Sequence, residues 1–200
     1  MAEQPRSSDR IALRILLAIA LAELVPIVLP LVGVPWGFIG LPRLLRHAGT
    51  PLAWILAAAV AAAYVWGSIR EFPGLRERLG TGGVLRVAAI VLSLAAGITE
   101  EVVFRKVVMD PLLDSSVFLA IGASAVTFGV AHGVWGFFGG WRVARGAMLW
   151  TGMLGAGLAV VYVVGGRSLL PCIASHAAID LVLEPALILA ALSRRSSEND

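Results

Sequence analysis

The chain reads as an all-α protein, a polytopic membrane bundle of about six transmembrane helices. Three observations predict it. Of the 200 residues 58% are hydrophobic and only 14% charged, and the mean hydropathy is +0.88, well outside the range of a soluble domain. Apolar runs of about 20 residues, the length that crosses a hydrocarbon core, recur between short polar or Gly/Pro breaks. The basic residues gather in those breaks. Topology therefore explains the isoelectric point of about 9.7, and no nucleic-acid partner is expected; the lipid bilayer is the solvent. Cys172 is the sole cysteine, which excludes an intrachain disulfide and a cysteine-based metal cluster.

The segments follow in order. Residues 1–10 form a polar N-terminal tail, and residues 11–32 the first apolar run. Arg6 and Arg10 before it and the small residues around Ala18, Ala20 and Ala22 permit a signal-peptide reading. The run continues through Val25, Ile27, Leu29 and Leu31, beyond a signal core of about 7 to 15 residues, and a retained span is expected. Glu23, Pro26 and Pro30 interrupt it, which neighbouring helices can accommodate. Glu23 is expected to face the bundle or a helix end. Residues 33–50 read as a loop broken by Pro35, Gly37, Gly40, Pro42 and Gly49, with Trp36 and Phe38 as interfacial aromatics.

An Ala-rich, uncharged second span covers residues 52–69. Residues 70–86 are the most polar internal stretch and read as a solvated charged loop in preference to a short surface helix. The third span opens near Val84 and runs to about Met109, before Asp110-Pro111. The fourth, residues 116–138, carries Phe128 and His132, and a loop with Trp141, Arg142 and Arg145 follows. The fifth, residues 146–164, presents Gly152, Gly155, Ala156, Gly157 and Ala159, a surface suited to close packing within the bundle; dimerisation through Gly152 and Ala156 is the less common use, so a homo-oligomer stays open. The sixth, residues 168–192, holds His176, Asp180 and Glu184 at fourfold spacing, along one stripe. Residues 193–200 are polar and expected to be disordered. The chain thus divides into the 1–10 tail, two accessory transmembrane helices and loops over 11–83, a helical core over 84–192, and the 193–200 tail.

Orientation follows from the arginines. With the N-terminus in the cytoplasm, Arg6, Arg10, Arg70, Arg76, Arg78, Arg86, Arg142, Arg145, Arg194 and Arg195 lie inside, and Arg43, Arg46 and Arg167 outside. That asymmetry places both termini in the cytoplasm.

The third span contains the stretch around which the chain is organised, Gly97-Ile98-Thr99-Glu100-Glu101-Val102-Val103-Phe104-Arg105. An ionised group within a bilayer costs at least ~2.5 to 3.5 kcal/mol, so intramembrane acids mark function by default. On a helix Glu101 and Arg105 are four apart and meet on one face, acid before base. Glu100 points about 100° away. The geometry divides the labour: Arg105 braces Glu101, and Glu100 is left for chemistry.

Three motifs, Glu100-Glu101-x-x-x-Arg105, Phe128-x-x-x-His132 and His176-x-x-x-Asp180, lie in this order on separate apolar spans. Together they resemble the CAAX protease and bacteriocin-processing (CPBP) family of intramembrane endopeptidases, the family of the type II CAAX prenyl protease, over about residues 85–189. The resemblance implies hydrolysis of a peptide bond in a membrane-tethered peptide or protein. It implies that Glu100 and His132 activate water, that His176 and Asp180 face the scissile carbonyl, that Glu101 and Arg105 support the site, and that residues 84–192 form the catalytic core. Phe128 reads most simply as a packing residue that shapes the pocket. The short chain, a core with two preceding spans, is more similar to the bacterial members, which points to a bacterial cytoplasmic membrane. The resemblance does not choose among prenylated C-termini, leader peptides, sorting signals and a role in immunity.

The chemistry of the set agrees. Amide cleavage needs a polarised water, a base, a donor to the oxyanion and an acid for the leaving amine. Glu100 can serve as base and then acid, His132 can share the water, and His176 can donate to the oxyanion. Asp180 departs from the Asn usual in prenyl proteases: either it is protonated, or it accepts from His176 and keeps that ring charged, the reading preferred here. Glu100, His132 and His176 also form a two-histidine, one-carboxylate set compatible with a divalent metal such as zinc, but the His-Glu-x-x-His spacing is absent. Metal-assisted and metal-free hydrolysis both stay open, with at most weak metal involvement expected. Two other functions compete: a small transporter or proton relay lined by Glu23, Glu100, Asp180 and Glu184, and a catalytically silent scaffold. The first lacks a visible internal repeat. The second would be expected to have lost a site residue.

Overall fold

The computed structural model describes residues 7–28, 47–72, 74–80, 83–136 and 140–197. Every regular element among them is helical. In chain order these are α1 (Ser7–Val28), α2 (Pro51–Glu71), α3 (Leu75–Arg78), α4 (Val84–Glu101), a π-helical segment (Val102–Met109), α5 (Asp110–Leu113), α6 (Val117–Gly136), α7 (Trp141–Val164) and α8 (Leu170–Ser197). Most of the loop expected over 33–50, with Trp36 and Phe38, lies outside the described residues.

Among the described residues four stretches are long and apolar enough to cross a membrane: Pro51–Glu71, Val84–Leu113, Val117–Val134 and Trp141–Val164. Helices α1 and α8 are not among them. Only 17% of the most apolar part of α2 is buried within the protein, and large apolar side chains such as Trp66, Phe118, Leu149 and Met153 face outward. An apolar exterior of this extent needs lipid, not water, as its solvent. The chain is a multi-pass membrane protein.

Local chemistry sets the helix ends. Thr50 caps α2, its hydroxyl accepting from the Ala53 amide at 3.2 Å, and Pro51 opens the helix where no amide hydrogen is required. Ser116 does the same for α6 through the Leu119 amide at 3.3 Å. Several stretches are more helical than the sequence led us to expect: α1 already begins at Ser7, within the expected tail, and α7 begins at Trp141, so that Trp141, Arg142 and Arg145 are helical and not in a loop. Within the charged stretch after α2, Gly74 turns at φ 84° and Leu75 is fully buried; that single anchor organises the short α3, while Arg76 and Glu77 remain exposed. At the other end, α8 continues to Ser197, past residue 193, where disorder was expected.

The chain forms two compact units, one from residues 1–39, 61–99 and 176–200, the other from 40–60 and 100–175. In the first, Ala20 of α1, flanked by Leu13 and Ile19, packs on Leu85, Ala88, Leu92 and Ala96 of α4. These four α4 positions recur at helical spacing and form one stripe. Thr99 adds a hydrogen bond to the Glu23 carbonyl at 2.9 Å. In the second unit α6 and α7 are the most extensively packed pair. Their glycines bring the backbones together: a Cβ on Gly129 would meet the Met148 carbonyl, and one on Gly152 would lie 3.3 Å from the Ala125 carbonyl. Thr50 ties the start of α2 to the Val164 carbonyl at 3.0 Å, and Ser175 ties the start of α8 to the Ala57 carbonyl at 2.9 Å.

Candidate active site

The organising stretch straddles a change of helix type. α4 ends at Glu101, and the next eight residues are π-helical, with the Asp110 amide bonded to the Arg105 carbonyl five residues back. Pro111 has no amide hydrogen, so neither ladder passes through it, and α-geometry restarts in the first turn of α5. Wide turns of this kind are rare and concentrate at functional sites.

Glu101 and Arg105 meet as the spacing requires. Arg105 Nε donates to Glu101 Oε2 at 2.7 Å and Nη2 to Oε1 at 3.4 Å. Both side chains are wholly buried. A buried pair is tolerable only where its remaining donors and acceptors are met, and here they are: Arg105 Nη1 donates to the Ser124 hydroxyl and to the Gly155 carbonyl at 3.1 Å, while Ser124 donates to the Phe104 carbonyl at 3.3 Å. Arg105 thereby joins the π segment to α6 and α7.

The guanidinium also lies 5.8 Å from the centre of the Phe128 ring. Phe128 is fully buried, meets Phe104 edge-on at 4.8 Å, and stacks on His132 with ring centres 4.3 Å apart and an interplanar angle of 18°. His132 Nδ1 is 2.9 Å from the Phe128 carbonyl. A carbonyl only accepts, so Nδ1 carries the proton and Nε2 of the neutral ring is the acceptor. That nitrogen lies 3.3 Å from Glu100 Oε2, an oxygen shielded from solvent. The two groups can share one proton between Nε2 and Oε2. Their side chains are 28% and 19% exposed, against none for Glu101 and Arg105, so Glu100 and His132 are the members of this cluster that a reactant can reach.

The third motif is formed in the other unit. His176 is buried, and its Nε2 lies 3.4 Å from Asp180 Oδ2. Glu184 lies one turn further along α8, within electrostatic range of both Asp180 and His176. Tyr64 of α2 is within electrostatic range of Asp180 and Glu184.

The structure thus brings Glu100 to His132, Glu101 to Arg105, Phe128 to His132 and Arg105, and His176 to Asp180. Sequence reading missed three participants. Ser124 was legible in principle, since Ser124, Phe128 and His132 recur at fourfold spacing and share one face of α6. Tyr64 had no motif around it. The Gly155 carbonyl leaves no trace in sequence, because every residue has one. A catalytic zinc site draws on three protein ligands, and among the described residues no three of His, Cys, Asp and Glu are grouped so as to hold a metal ion.

A second polar cluster closes the far end of the π segment. Lys106 pairs with Asp110 at 3.2 Å and lies 5.0 Å from the centre of the Tyr162 ring, and the Tyr162 hydroxyl donates to Asp110 at 2.8 Å. Residues 82–182 match the family described as type II CAAX prenyl endopeptidase Rce1-like. No curated protein and no solved structure matches the chain.

Proposed function

Because the chain belongs to the Rce1-like type II CAAX prenyl endopeptidase family, a family of proteases, we propose that it is an intramembrane endopeptidase in which Glu100 and His132 activate the water that hydrolyses a peptide bond. The observation that carries this reading is the 3.3 Å approach of His132 Nε2 to Glu100 Oε2, with the opposite ring nitrogen engaged by the Phe128 carbonyl. One proton serves both groups, so either can accept the next one. Glu100 takes a proton from water as the hydroxide adds to the scissile carbonyl, and returns it to the departing amine. His132 holds the water beside it.

Asp180 accepts from His176 and keeps the ring protonated; the charged ring then donates to the oxyanion and offsets the charge of Asp180 beside it. Glu101 and Arg105 are the brace. Burial of charge at no net charge lets them hold the end of α4 rigid, so that Glu100 keeps its place against α6. The substrate is a membrane-tethered peptide or protein, prenylated or not, and the protein crosses a bacterial cytoplasmic membrane six times with both termini inside, α1 and α8 completing the four longer apolar stretches.

The test is a comparison of strains that carry the wild-type protein or Glu100→Gln, by mass spectrometry of membrane-associated peptides. At least one peptide should accumulate uncut with Glu100→Gln and disappear when the wild type is restored. A purified Glu100→Gln protein that cleaves such a peptide at the wild-type rate would discard the assignment of the base.

A further inference from the structure

Helix α8 contains a proline at position 185. Its nitrogen carries no hydrogen, so the carbonyl four residues earlier, that of Leu181, loses its helical donor. Where it is partly buried in the protein, such a carbonyl must be met from elsewhere. Arg86 Nη1 donates to it at 2.8 Å. Arg86 stands in the first turn of α4 and is half-buried, its own amide bonded to the Gly83 carbonyl at 3.1 Å. Leu181 immediately follows Asp180, so the guanidinium holds α8 at the point where His176 and Asp180 make their contact.

We propose that Arg86 is a positioning residue for the His176–Asp180 pair: it fills the carbonyl that Pro185 orphans and so sets the course of α8 beneath the two side chains. The inference rests on the reading of that pair as catalytic. A guanidinium suits the task because it is always charged, and a charged donor makes the stronger bond to a carbonyl. By sequence alone Arg86 is one of many charges expected on the cytoplasmic side. A purely topological arginine would be indifferent to what stands at position 185. A positioning arginine would not, because an alanine there supplies the missing amide hydrogen.

The experiment uses the full chain in liposomes and a membrane-anchored peptide that the wild type cleaves, and measures kcat and KM for Arg86→Met, Pro185→Ala, the double variant and His176→Ala. Arg86→Met should lower kcat at least about tenfold with KM little changed, since small displacements of catalytic groups have effects of that size. Pro185→Ala alone should be active, and the double variant should recover most of the lost kcat. Should Arg86→Met fail to insert, Arg86→Lys keeps the charge but not the planar fork; it should lose several-fold in kcat, and Pro185→Ala should restore it. Wild-type kcat in the Arg86 variants, or no recovery in the double variant, overturns the inference while His176→Ala is inactive. A His176→Ala protein that cleaves at the wild-type rate overturns the catalytic reading, and this inference with it.

Discussion

Arg105 makes four donor bonds, to both carboxylate oxygens of Glu101, to Ser124 and to Gly155, although it is wholly buried. Removing the carboxylate alone leaves a desolvated cation with only neutral partners, Ser124 and the Gly155 carbonyl among them. Glu101→Gln should therefore lose ~3 to 5 kcal/mol of stability, seen as a lower unfolding temperature in lipid and a lower protein level. Removing both charges, Glu101→Gln with Arg105→Met, should recover much of it, and a double-mutant cycle measures the coupling. Additive losses would remove the brace. Glu100→Gln keeps the size and polarity of a partly exposed side chain, so its unfolding temperature should stay near that of the wild type while cleavage is lost. The different contacts of Glu100 and Glu101 were legible in the sequence in part, because residues one apart on a helix point about 100° apart and residues four apart meet.

At the scale of elements, the approach of α7 to α6 depends on the absence of a side chain at Gly155. A Cβ there would lie 2.9 Å from Phe128 Cβ and 3.1 Å from Cγ, and the Phe128 ring cannot yield without moving the His132 ring stacked on it. Gly155→Ala should destabilise by ~1 to 3 kcal/mol, the usual cost of overpacking, and should lower activity out of proportion to the protein folded. Gly157 offers the comparison. The nearest atoms to its added Cβ belong to the Val60 side chain, with methyl groups at 3.2 and 3.3 Å, and not to the Phe128–His132 stack, so Gly157→Ala should stay active. Cleavage per folded protein that is the same in both variants would separate α6–α7 packing from the site. The use of Gly152, Gly155 and Gly157 inside the bundle was expected from their composition. The π segment was not, since hydrophobic periodicity does not distinguish a wide turn from an α turn over eight residues.

For the whole molecule, the exposed apolar side chains on α2, α6 and α7 and the four long apolar stretches among the described residues place helices in lipid, and the arginine asymmetry predicts an orientation with both termini in the cytoplasm. Reporter fusions after Gly80 and after Arg195 should both report cytoplasm. A signal from the opposite side at either point would break the proposed six-span arrangement. The count of spans is the less legible quantity, because α1 and α8 carry Arg10, Arg14, Glu23, Asp180 and Glu184 within their helices; hydropathy alone does not say whether neighbours satisfy such groups or water does.

What the sequence determined by itself is local or compositional. The membrane class follows from hydrophobicity, and the Glu101–Arg105 and His176–Asp180 contacts follow from fourfold spacing, because a helix brings such residues together whatever surrounds it. Tertiary structure decided what lies far apart in the chain. It chose His132 as the neighbour of Glu100, Ser124 and the Gly155 carbonyl as the further partners of Arg105, and Arg86 as the donor to the carbonyl left bare by Pro185. Each of these desolvated groups needs a partner, which the sequence can announce; which partner arrives depends on how helices distant in sequence pack, and no spacing rule encodes that.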